Sequence, residues 1–456
     1  MGQVVLAWLL LPEDFGLIGL AYTVTAFTTL IQQAGVREVL IHRHRHFHRW
    51  ATPAFWMSLA TGVLAGLMMA GAAPFVAMAY GEQELVGLLL VLALVSPLAG
   101  ASTVPQAALE SKLRFGLLAR IAIIENLLQT ALTIGLAWAG AGVYSFVVPR
   151  PIVVTIKLVI LWAAARPRVR VRPQVRRWPY LLGDTSATLA TGVLYSLVAQ
   201  GDYIILGALF SASTVGLYFF AYYISMQAVQ LLASNLARVI FPALANLSDI
   251  RQQTSAFVRA CGLISLVGTP LAILQAAVAE PVVLLLFSDQ WAGVIPLIQI
   301  LSIAAAFRIV LGACGSLLQA QGRFRFRLLL FTIYTPVFLM MVYAGAVTGE
   351  ARGAAIGVSG YYAALGVFHL WLVIRPGGGR LRDAWGVYGI PILASSVTAA
   401  IGGYAAQWLP SIPGRELLQV LLTSAICLGG YAAIAYLLLP GRVHELFQHV
   451  AAIRRR

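Results

Sequence analysis

FGLIGLAY occupies Phe15–Tyr22, and VGLYFFAY occupies Val215–Tyr222. Gly16, Leu17, Ala21 and Tyr22 return as Gly216, Leu217, Ala221 and Tyr222. Each phrase opens an apolar stretch of spanning length, for which about 20 residues suffice. A second echo follows the first. PQAALESKLRF (105–115) and SLLQAQGRFRF (316–326) share a basic-x-Arg-Phe ending, Lys112-x-Arg114-Phe115 against Arg323-x-Arg325-Phe326. Both echoes are displaced by six apolar stretches. Six is even, so both copies cross a membrane in the same direction. Parallel repeats of this kind are related by an axis along the membrane normal and carry substrate at their interface.

Composition fixes the solvent. The 456 residues are 60% hydrophobic and 10% charged, whereas soluble domains carry about 25% charged residues. Thirteen stretches of spanning length run from 16–35 to 416–439, and MGQVVLAWLLL at the start reads as the C-terminal half of a further helix. About fourteen transmembrane helices are expected, the first of them truncated. The net charge of +15 does not require nucleic acid, because Lys and Arg collect in alternate loops. REVLIHRHRHFHRW, RPRVRVRPQVRRW and QGRFRFR are basic, and YGEQEL, lying between the first two, is acidic. The inside-positive rule then puts both termini in the cytoplasm. Cys261, Cys314 and Cys427 are scattered and read as small apolar residues.

At LAWLLLPEDFGLIGLA (6–21) the chain resembles the opening of polysaccharide-transport proteins, members of the superfamily of multidrug, oligosaccharidyl-lipid and polysaccharide flippases. GDYIILGALFSASTVGLYFFAY (201–222), RVIFPALANL (238–247) and AEPVVLLLFSDQW (279–291) resemble later stretches of the same family. Trp8 stands where the family often has Arg. The resemblance implies an all-α integral membrane bundle: a lobe over 1–165, a basic linker over 166–178, a second lobe over 179–374, and two extra helices with a basic tail over 375–456. It also implies a transporter, not an enzyme, that flips isoprenoid-pyrophosphate-linked oligosaccharide across the cytoplasmic membrane. Its partners would be membrane lipids and the polymerase and glycosyltransferases of the same pathway, with no cofactor. A drug or cation antiporter of the same superfamily is the alternative, followed by a membrane glycosyltransferase or polymerase.

Charge at membrane depth costs about 2.5–3.5 kcal/mol per residue, so each instance asks for a reason. Glu125 lies nine residues past Gly116 and Lys157 nine before Arg166. At 1.5 Å per residue both sit about 13 Å deep on consecutive antiparallel helices, in reach of one another. The pair reads either as a structural tie or as a substrate- or proton-coupled pair. Arg308 has no carboxylate at its depth and is expected to face a wet cavity, where a guanidinium grips phosphate oxygens with two prongs. Arg150, between Pro149 and Pro151, is expected at a kink or broken helix. Asp202 matches an acidic position of the family. His42, His44, His46 and His48 alternate with arginines that repel cations, so lipid headgroups are the expected contact and no metal site is expected. Glu13 and Asp14 sit in a short loop, without the large outer domain that membrane glycosyltransferases carry.

Overall fold

The computed structural model describes residues 2–33, 36–42, 47–182, 185–245, 247, 249–410, 414–445 and 448. His44, His46, the side chain of His42 and the tail 451–456 fall outside them. The described residues are mainly helical, with no strand among them.

The helices are α1 (Gly2–Leu9), α2 (Pro12–Gln33), α3 (Val36–His42), α4 (Phe47–Tyr80), α5 (Glu84–Ala93), α6 (Val95–Ser111), α7 (Phe115–Trp138), α8 (Tyr144–Val147), α9 (Pro149–Ala165), α10 (Pro179–Leu182), α11 (Thr185–Leu209), α12 (Ala212–Ala245), α13 (Ile250–Leu286), α14 (Val294–Ala320), α15 (Phe324–Ile374), α16 (Leu381–Gln407) and α17 (Arg415–Leu438). Among the described residues, ten segments are long and apolar enough to cross a bilayer. One of them holds two spans, because α15 folds back at Gly349 and Glu350, whose dihedrals leave the helical region. With α1, α2 and α12 the helical segments reach the fourteen expected. This is a multi-pass membrane protein.

Small residues let the two arms of α15 meet backbone to backbone, which is how helices associate where lipid removes the hydrophobic drive. A Cβ built on Gly345 would lie 2.1 Å from the Gly353 carbonyl oxygen, and one on Gly353 1.9 Å from that of Gly345.

The echoed phrases meet in the same way. A Cβ on Gly16 would lie 1.9 Å from the Ala212 oxygen and 3.1 Å from the Gly216 nitrogen. A Cβ on Gly216 would lie 1.7 Å from the Pro12 oxygen and 2.9 Å from the Gly16 nitrogen. Pro12 corresponds to Ala212 as Gly16 does to Gly216, so the contact is reciprocal. Two helix N-termini converge here, and carboxylates are favoured beside such ends. Glu13 and Asp14 occupy the first turn of α2, and Asp14 Oδ2 accepts from Leu11 N–H at 2.9 Å. Asp14 thus caps α2. Nearby Glu82 is pushed above the usual carboxylate range by burial and by Glu13 and Glu84, against a lowering contribution from the backbone N–H of Ala212.

The chain forms two compact units, Met1–Gly216 and Leu217–Arg456. In the first, α11 packs on α2, where Thr23 Oγ1 donates to Gln200 Oε1 at 3.3 Å. Its basic end is closed by an apolar cluster that includes Leu40, Met57, Val104, Leu109 and Leu161. In the second, α13 is the hub for α14, α16 and α17. Tyr431 Oη donates to the Leu266 oxygen at 2.8 Å, tying α17 to α13.

Candidate functional site

Lys157 on α9 and Glu125 on α7 form an ion pair, with Nζ 2.9 Å from Oε2 and 3.2 Å from Oε1. The depth count put these residues in reach of one another, and the structure brings them together. Both side chains are about three-quarters buried, at 26% and 24% exposed. Removing one partner of a buried pair costs about 3–5 kcal/mol, and the residual exposure lowers that here to about 1–3 kcal/mol. Glu125→Gln and Lys157→Met are each expected to lower the melting temperature of the detergent-purified protein, and the double variant to recover part of the loss. Melts in which the two single shifts simply add would show that the pair contributes nothing to stability.

Arg308 projects from α14 between two aromatic rings. Its guanidinium carbon lies 5.6 Å from the Tyr222 ring centroid and 5.5 Å from that of Tyr362. Its Nη1 also donates to the Tyr222 hydroxyl. Each desolvated cation–π contact contributes up to about 2 kcal/mol, and a hydrogen bond to a charged group about 1.5–3 kcal/mol. Together they are large enough to offset the cost of placing Arg at depth. The guanidinium is therefore held by named neighbours. The sequence reading looked only for a carboxylate and missed both tyrosines. Tyr222 was in view as the last residue of the echo, yet nothing in its spacing announced Arg308, 86 positions away.

In the first copy a cation from a helix that is not the counterpart of α14 lies over the matching ring. Arg150 lies over Tyr22, the echo counterpart of Tyr222, with its guanidinium carbon 6.0 Å from the ring centroid. Arg150 is exposed, in the first turn of α9. α8 ends at Val147 and α9 begins at Pro149, so the helix is interrupted where the prolines stand. Val148 keeps helical dihedrals (φ −61°, ψ −39°), and Tyr144–Ala165 counts as one span of 22 residues. The prolines occupy the first turn of α9, where a missing N–H costs little.

Asp202 is buried in α11, and its Oδ1 accepts from Tyr203 N–H at 3.0 Å. His48 is exposed at the start of α4. The three cysteines are free and buried. A contact that sequence reasoning missed is the two-pronged pair of Arg37 with Glu110, at 2.8 and 2.7 Å. Glu110 was the lone acid in a basic loop, and that isolation was the available signal. Its echo counterpart, Gln321, buries both carboxamide atoms without a partner, so the copies differ at this corner.

Residues 5–296 match the family described as polysaccharide biosynthesis protein. The chain belongs to this family. Its polysaccharide-biosynthesis relatives include the teichuronic acid biosynthesis protein TuaB of Bacillus subtilis, 25% identical over 302 residues. That match covers 66% of this chain and 62% of the relative. The succinoglycan biosynthesis transport protein ExoT of Rhizobium meliloti is 23% identical over 428 residues, 92% of this chain and 86% of the relative. Among solved structures, the lipid II flippase MurJ in an inward closed conformation superposes with a TM-score of 0.76 at 11% identity, over 95% of each chain. An inward-facing multidrug resistance transporter of the MATE family gives 0.67 at 15% identity, over 84% of this chain and 94% of that one. The chain thus has the fold shared by those transporters.

Proposed function

We propose that the protein flips isoprenoid-pyrophosphate-linked oligosaccharide from the cytoplasmic to the outer leaflet by alternating access. The observation that carries this reading is the family match over residues 5–296. The name of the succinoglycan relative, a transport protein, agrees with it. The charge at depth fits an anionic cargo. Arg308 would hold the pyrophosphate, with Arg150 as a shallower cation. Lys157, Glu125 and Asp202 would shape the path. In this reading 1–165 and 179–374 form two six-helix lobes, 166–178 links them, and 375–456 adds two helices and a tail. Both termini lie on the cytoplasmic side of the cytoplasmic membrane. The polymerase and glycosyltransferases of the pathway act on either side of the transport step, and the protein itself performs no bond chemistry.

Deleting the gene in its host separates this function from an enzymatic one. Loss of a flippase is expected to abolish surface polysaccharide while complete lipid-linked repeat units accumulate on the cytoplasmic face. Incomplete units would indicate a glycosyltransferase, and complete units on the outer face a polymerase. Unchanged surface polysaccharide would also defeat the proposal.

A further inference from the structure

The linker 166–178 lies as a strap across the basic end of α4. Three hydrogen bonds fasten it. Trp56 Nε1 donates to the Arg170 oxygen at 3.0 Å, Arg170 N–H to Thr52 Oγ1 at 3.1 Å, and Arg177 Nη1 to the Arg49 oxygen at 3.0 Å. Beyond the strap, α4 presents Trp56, Ala60, Val63, Leu64 and Leu67 along one side, at helical spacing. These residues, with Pro173, Val175 and Trp178 of the strap side, line an open groove of about 440 Å³. The walls are apolar, and the rim is cationic. Arg172 and Arg176 are the chain neighbours of Pro173 and Val175, and together with Arg168 they are exposed.

The dimensions select the occupant. Trp56 to Leu67 is eleven residues, about 16 Å at 1.5 Å per residue. One leaflet of hydrocarbon is about 15 Å thick, half of the bilayer core. A single acyl chain fits that length, whereas a polyisoprenoid carrier several times longer overruns it. Trp56 and Trp178 both line the groove beside the strap, and indole rings favour the headgroup level of a membrane. Two polar atoms there, Gln174 Oε1 and Trp178 Nε1, are buried without a partner. Exposed arginines attract anionic headgroups, while their stems lie along apolar surface.

We infer that this groove seats one anionic phospholipid of the leaflet on the basic face, its acyl chain along α4 and its phosphate among the strap arginines. The lipid would fasten the strap to α4. The inference is independent of the cargo.

Tryptophan quenching tests it on the full-length purified protein in mixed micelles. Phosphatidylglycerol brominated in its acyl chains is expected to quench more strongly than brominated phosphatidylcholine. The excess should vanish in Trp56→Phe/Trp178→Phe, because the reporting rings are gone. In Arg168→Gln/Arg172→Gln/Arg176→Gln the phosphatidylglycerol concentration for half-maximal excess quenching should rise about tenfold. Ala60→Leu, which fills the groove and leaves the rim intact, should reduce the excess as well. Equal quenching by the two lipids would overturn the inference, as would an unchanged preference in the arginine variant. Displacement of the brominated lipid by a polyprenyl phosphate at a lower mole fraction than unlabelled phosphatidylglycerol would overturn it too, by assigning the groove to the carrier.

Discussion

Arg308→Glu, produced in a strain stripped of its own flippase, is expected to reach the membrane in normal amounts and to export at least about tenfold less glycan than the unsubstituted chain. The expectation rests on what surrounds the side chain. Two tyrosine rings and a hydroxyl fix the guanidinium, so its charge stands in one place. A fixed fork of donors grips phosphate oxygens in a way that a mobile ammonium does not. Arg308→Ala should behave like Arg308→Glu, and Arg308→Lys should retain partial export. Tyr222→Phe keeps the ring and removes the hydroxyl, so a loss of a few-fold is expected, in keeping with about 1 kcal/mol for one hydrogen bond. Surface glycan against protein amount by blot is the measurement. Normal export by well-expressed Arg308→Glu would remove Arg308 from the cargo path, since a reversed charge there would repel pyrophosphate.

The other large effect is on folding. Gly216→Ala places a methyl carbon 1.7 Å from the Pro12 carbonyl oxygen, and Gly16→Ala places one 1.9 Å from that of Ala212. Both obstacles are backbone, so one helix start has to move as a whole. Overpacking of well-packed sites costs about 1–3 kcal/mol, and a backbone collision exceeds that range. Either variant should yield little monodisperse protein by size exclusion in detergent. Gly71→Ala and Gly135→Ala serve as controls, because nothing lies within 4 Å of the added carbon. Relief of the glycine penalty in a helix should leave them unchanged or stabilised by up to about 1 kcal/mol. Wild-type yield and melting temperature for Gly216→Ala would show that the two helix starts are not in contact.

Much of this was legible before any coordinate, for one physical reason. Lipid demands about 20 apolar residues per crossing and punishes buried charge, so spans and anomalies both stand out. Counting residues from the loops was enough to place Glu125 beside Lys157. The same signal fails outside the hydrocarbon. The spans expected at 215–237 and 256–278 are the apolar parts of α12, which runs over Ala212–Ala245, and α13, which runs over Ile250–Leu286. Their polar ends carry no hydropathy mark. Contacts between distant helices were equally silent. Tyr362 reaches Arg308 because α15 doubles back at Gly349 and Glu350, and no spacing rule joins the two. The prolines around Arg150 marked the junction of α8 and α9, but not its form. Proline breaks a helix interior but suits a first turn, and only the position of the helix start decides between them.

The meeting of Gly16 with Gly216 has an ancestral meaning. Residue 12 touches 216, and residue 212 touches 16. That exchange of partners defines an isologous contact, the kind two identical subunits make across a twofold axis. A half-length forebear carrying a single such phrase would have made the same contact with a second copy of itself. In a symmetric dimer one mutation at this glycine strikes both sides together, and one repair restores both. Fusion into a single chain separates them. Each glycine then answers to the other copy's carbonyl, and a change in either meets an obstacle encoded two hundred residues away. Change is thereby opposed from both sides, which gives a physical reason for the phrase to stand in both halves.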